Sequence, residues 1–167
     1  MPEITTLGWF HTAIGILALV TGILSFVRFK VIAWSHGPGR VYLICTLVTA
    51  LTALGIYNQG GFGVAHILAV LTLGAVLVGS VAEKTTLFGG FSGYLQAISY
   101  SATYLFHMIP AITDGLMRLP VNDPVVSTIE DPLLRGFYLA FLVAYLIGAL
   151  LQVLYLRRSG AAYGSIS

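Results

Sequence analysis

Charge is scarce in this sequence. Asp, Glu, Lys and Arg make up 8% of its 167 residues, where a soluble domain carries about 25%. So few charges cannot solvate the surface of an ordinary globular domain. Cysteine is scarcer still. The single Cys45 forms no internal disulfide and no Cys-x-x-Cys clip, and its plain role is a small, inert, buried side chain. Recognisable catalytic signatures are missing too: no His-Glu-x-x-His, no Cys-x-x-Cys-His and no Gly-rich phosphate loop. No motif therefore names a reaction, and whether the chain is an enzyme stays open. The net charge is only +2, which gives no ground for a nucleic-acid partner.

What the chain does hold is apolar length. It is 57% hydrophobic with a mean hydropathy of +0.93. Crossing hydrocarbon takes roughly 20 apolar residues per helix. Five stretches are expected to do so: 7–27, 41–57, 63–82, 94–113 and 134–156. They consume most of residues 1–167, so one transmembrane helical domain is expected and no soluble one. The fold class is all-α, a bundle of about five spans. Outer-membrane strands would instead read as short alternations. The leader ahead of the first span carries no Lys or Arg, and the run exceeds a signal core, so it is read as a helix.

Orientation follows from the basic residues. Arg28, Lys30, Arg40, Lys84, Arg157 and Arg158 fall on one side of an alternating topology, and Arg118 and Arg135 on the other. Basic residues mark the cytoplasmic face. The N-terminus is therefore expected outside, the C-terminus in the cytoplasm, and the protein in a bacterial inner membrane. Glu83 is the one acid on the inner side.

The chain has four histidines. His11, His66 and His107 lie in the first, third and fourth spans. Counted from the outer ends, their depths differ by roughly one turn or less. An imidazole in hydrocarbon is costly without a partner, a ligand or water, so three in one layer suggest a shared outer-side site. Neutral imidazole ligates zinc, copper and iron, and three histidines with an open position suit catalytic zinc. Two histidines on facing helices suit haem b. The expected occupant is haem or a transition metal ion, if any. Asp114, Gln96 and Tyr145 are candidates to orient the ligands. The plainer alternative is that each histidine bonds a neighbouring helix separately. His36 lies in the inner connection and is read as a loop residue.

Small residues line the helix seams. Gly8, His11, Gly15, Ala18, Gly22 and Ser25 share one stripe of the first span, and Gly74 follows His66 in the third. Such stripes let helix backbones approach closely. In the fourth span Gln96, Ser99, Thr103, His107 and Asp114 share a side, with Pro110 three residues after His107. The fifth lines up Tyr138, Tyr145, Gly148, Gln152 and Tyr155. The outer connection from 114 to 133 carries Pro120, Pro124 and Pro132. Connections that long are often lids or binding segments.

The string His11-Thr-Ala-Ile-Gly15, Ala18-Leu19, Gly22, Phe26, His36-Gly-Pro-Gly-Arg40-Val-Tyr42 and His66 resembles an uncharacterised family of bacterial membrane proteins, a domain of unknown function. The resemblance covers roughly residues 8–85. It implies a polytopic inner-membrane protein and supplies no activity or ligands. His107 lies beyond it. The architecture is also similar, more distantly, to small membrane b-type cytochromes. Those carry histidine pairs near both faces, and no intramembrane histidine lies near the inner face here. Three functions are thus expected to compete. The first is redox or metal chemistry at the outer histidines, with quinone or a periplasmic partner. The others are an accessory subunit of a larger membrane complex and a small transporter.

Overall fold

The computed structural model describes residues 4–57 and 61–160. Five helices carry the chain: α1 (Thr6–Phe29), α2 (Gly37–Ala53), α3 (Val64–Lys84), α4 (Ser92–Arg118) and α5 (Pro132–Ser159). A short 3-10 turn, Gly89–Phe91, leads into α4, and no strand occurs among the described residues. The all-α expectation holds.

Local chemistry sets the helix ends. The Thr5 hydroxyl accepts the Gly8 amide at the start of α1, satisfying one of the first turn's spare donors. Pro38 sits in the first turn of α2, and Pro132 opens α5 behind the Asp131 side chain, which accepts the Leu133 amide. At the far ends, Lys30 and Gly160 adopt left-handed conformations, φ 67° and 68°, and so stop α1 and α5.

Three helices, α1, α3 and α5, are long and apolar enough to cross a membrane by length and composition. Of the five spans expected, α2 and α4 do not meet this measure. α2 has 17 residues, short of the roughly 20 that hydrocarbon requires. α4 is longer, 27 residues, but Ser, Thr, Gln and His dilute it, and Thr113, Asp114 and Arg118 extend it beyond its apolar part. Their backbone still pairs helically. The Thr113 hydroxyl returns to the Ile109 carbonyl, and Asp114 pairs with Arg118 at 3.5 Å, one turn on.

The helices pack in sequence, α1 on α2, α2 on α3, α3 on α4 and α4 on α5, and α1 also touches α4. α4 is therefore central. The core is made of small and hydroxyl-bearing residues around two large rings. Ala18, Ser25, Tyr42, Leu43, Thr46, Tyr100 and Thr103 are fully buried. Outward faces of α1, α3 and α5 show apolar side chains such as Ile16, Val20, Leu77, Leu139 and Leu146.

The glycine seams divide unevenly. A Cβ at Gly22 would meet the Tyr104 ring at 2.8 Å and Tyr42 at 3.0 Å. That glycine is a true close approach. Gly15 has only the Thr49 methyl, at 3.8 Å, and Gly8 meets side chains of its own N-terminal turn. Gly74 faces open space. The packing role expected of Gly8 and Gly74 is therefore not met, because no second helix lies over them. Gly79, whose added Cβ would overlap the Tyr100 ring, and Gly39, pressed on the Ala33 backbone, take that role instead.

One end of the bundle is tied. The Trp34 amide donates to Glu83 Oε1 (2.8 Å), and its indole donates to the Ser80 hydroxyl (3.1 Å). The Tyr100 hydroxyl reaches Glu83 Oε2 (3.0 Å). Gln96 donates to the Ile32 carbonyl and Gln152 to the Lys30 carbonyl. Thus α3, α4 and α5 all hold the connection between α1 and α2.

Candidate functional site

The opposite end carries His11 and His107. Both line a cleft of about 770 Å³ between α1 and α4, with Trp9, Pro110 and Asp114 around them. Asn122 and Pro124, from the connection after α4, also border it. Asp114 is 61% exposed at its side chain and lies within electrostatic reach of His11, as His107 does.

α2 fixes both rings. His11 Nδ1 lies 3.0 Å from the Thr52 hydroxyl. Thr52 has one hydroxyl hydrogen, and it points to the Val48 and Thr49 carbonyls of its own helix (2.9 and 3.0 Å). The threonine oxygen therefore accepts, and His11 Nδ1 carries the proton. That leaves Nε2 as a lone-pair acceptor.

His107 is bound through its other nitrogen. Its Nε2 lies 3.0 Å from Thr46 Oγ1, and its ring meets Tyr42 edge-on at 6.1 Å. Behind it the polar groups continue. The Tyr42 hydroxyl is 2.6 Å from Thr103 Oγ1, whose own hydrogen goes to the Tyr100 carbonyl at 2.7 Å. Tyr42 is therefore the donor, and the series stops at a backbone carbonyl. The Tyr100 hydroxyl belongs to the tied end instead.

The two threonines stand six residues apart on α2, so the imidazoles are anchored at levels roughly 9 Å apart along it. The expected single layer is therefore a staircase, with His11 near the mouth and His107 deeper. The count from helix ends misplaced His107 because α4 runs on to Arg118 rather than ending at 113.

His66 stands apart. It is buried, 3% exposed, between the rings of Tyr57 (4.7 Å) and Phe62 (5.0 Å). Its Nδ1 accepts the Gly63 amide at the head of α3, and Nε2 has no hydrogen-bond partner among the described residues. It does not border the cleft. His36 stands at the N-cap position of α2, at the tied end, with no side-chain capping bond, and stacks on Phe29 at 4.0 Å. Among the described residues no group of three or more His, Cys, Asp or Glu side chains is arranged to hold a metal ion. The expected three-histidine metal centre is not supported, since His66 is elsewhere. A haem between two histidines is not favoured either, because His107 Nε2 is engaged by Thr46.

Of the supporting residues expected around the site, only Asp114 is there. Gln96 is spent on the Ile32 carbonyl, and Tyr145 bonds the Ile98 carbonyl beside a different cavity. Thr46 and Thr52 were not anticipated. Their signal was present in α2, where Thr46, Thr49 and Thr52 recur at three-residue spacing, one face of a helix. No family model, curated protein or solved structure matches the chain.

Proposed function

We propose that the chain is a five-span bacterial inner-membrane protein, N-terminus outside, whose outer-facing cleft binds a small hydroxyl-bearing ligand. The single observation that carries this is His11: its imidazole lines the cleft, and the Thr52 bond leaves Nε2 able only to accept. A ligand O–H is the complement of that atom. His107, one level deeper, meets a second polar group of the same ligand. Trp9 and Pro110 supply flat apolar walls. A quinol combines a flat ring, two hydroxyl donors and solubility in the bilayer, and is the ligand class that fits best. α2 and α4 cross with the three more apolar helices because hydroxyl side chains bond back to their own helices, as Thr49, Thr52 and Thr113 do. This leaves few polar groups facing lipid.

Trp9 borders the cleft while Trp34 lies at the tied end, which gives a direct assay. Titrating the detergent-solubilised protein with duroquinol is expected to quench tryptophan emission saturably, and Trp9→Phe removes the signal. His11→Ala abolishes it, and His36→Ala leaves it unchanged. A flat titration in the intact protein overturns the proposal. A Soret band or stoichiometric metal, lost in His11→Ala, would return the site to a haem or metal role.

A further inference from the structure

The polar stripe of α5 has no part in the histidine cleft. Tyr145, Gly148, Gln152 and Tyr155 line a second cavity, of about 460 Å³, bounded by α1, α4 and α5. Its chemistry is graded along the helix axes. Leu105, Met108, Phe141 and Ala144 make an apolar length. The rings of Tyr104 and Tyr145 add to it, because their hydroxyls are turned onto the Leu19 and Ile98 carbonyls. Polar groups gather where α1 ends. Ser101 donates to the Gln152 amide oxygen, and Gln152 donates to the Lys30 carbonyl, each at 2.8 Å.

Lys30 is at this polar end, exposed and bordering the cavity. Its ammonium gives one bond to the Val27 carbonyl, which leaves two of its three donors. Arg158, also exposed, lies one turn beyond Tyr155 on the same side of α5. Gly148 keeps the floor of the slot open, since a Cβ there would meet nothing within 4 Å.

We infer that this slot holds one phospholipid with an anionic headgroup, its acyl chain lying along α4 and α5 and its phosphate between Lys30 and Arg158. Charge complementarity selects the occupant. An apolar slot with Lys30 at its polar end and Arg158 one helical turn beyond its last lining residue, Tyr155, matches an amphiphile with an anionic head, and cations near a membrane surface attract anionic lipid. A helix laid into the slot would cover Lys30 without a countercharge, which is costly at membrane depth. The inference rests on the membrane setting, and is independent of the cleft ligand and of which face the Lys30 end occupies.

The test is native mass spectrometry of the full chain, released from vesicles of mixed phosphatidylcholine and phosphatidylglycerol. One retained phosphatidylglycerol is expected. The double variant Lys30→Gln with Arg158→Gln should lower its retention about tenfold or more, with phosphatidylcholine unaffected. Lys30→Arg should preserve retention. Gly148→Leu should expel lipid of either kind while leaving the size-exclusion profile and unfolding temperature in detergent unchanged, which shows that the bundle is still folded. Equal retention of the two lipids, no retained lipid, or undiminished retention in Gly148→Leu would each overturn the inference. So would disulfide-linked dimers of Gly148→Cys in the membrane, which would assign the slot to a second copy of the chain.

Discussion

Thr52 orients the His11 imidazole at the cleft. Its hydroxyl hydrogen goes to its own helix, so its oxygen holds the His11 proton on Nδ1. Thr52→Val removes that acceptor and lets the imidazole turn or exchange tautomers. Losing one such bond is worth about 1 kcal/mol, so duroquinol affinity is expected to fall roughly tenfold at most while the fold survives. Unchanged affinity would mean that Thr52 does not set the tautomer. Among the glycines, Gly22→Leu should abolish folded yield, since its neighbours are the rings of Tyr104 and Tyr42. Gly74→Leu should give normal yield, because it faces open space. Size-exclusion chromatography separates the two outcomes, and equal behaviour would contradict the placement of α1 against α4. Periodicity alone treats these glycines alike. Which of them has a second helix above it depends on tertiary neighbours that the local sequence does not encode. The same holds for Gln96, whose polarity was legible but whose partner, a carbonyl 64 residues away in sequence, was not.

At the scale of the helices, Gln152 joins α5 to α4 through Ser101 and to the α1–α2 connection through the Lys30 carbonyl. Side-chain bonds of this kind in membrane proteins average about 0.6 kcal/mol and reach about 1.7. Gln152→Leu is therefore expected to cost about 1–2 kcal/mol, seen as a lower unfolding temperature in detergent. No shift would mean that α5 is held by apolar contact with α4 alone. Hydropathy located all five helices, because each buries or exposes a long apolar stretch. It misjudged their ends. α2 starts at Gly37, ahead of its apolar run, because Pro38 suits a first helical turn. α4 continues past Pro110 to Arg118, because Thr113 and the Asp114–Arg118 pair satisfy a polar last turn. The threonines of α2 were visible as residues, but their task is defined only by the histidines brought opposite them.

Taken whole, the molecule has two unlike ends, and the proposed orientation puts the tied end in the cytoplasm and the histidine cleft outside. A reporter fused after Ser167 should be active in the cytoplasm, and one inserted near Asn122 should report outside. The reverse pattern would invert the proposed orientation, and both on one side would break the five-span count. The ends differ mechanically as well as chemically. Ser80, Glu83, Gln96 and Gln152 bind one end through four side-chain hydrogen bonds to a single connection, and Tyr100 braces Glu83 with a fifth. α1 and α4 have little direct packing between them, and the cleft separates their other ends. Rods bound together at one end and parted at the other behave as a pair of tongs. Any breathing of the helices then has its fulcrum near Trp34 and its largest stroke near Trp9 and Asp114. The staircase of polar groups lies along that lever, so the His11 level widens more than the His107 level for the same small rotation. Under the proposed function, a guest at the mouth is exchanged while the deeper imidazole keeps its hold on Thr46, as in a gripper with a fixed heel and a moving tip.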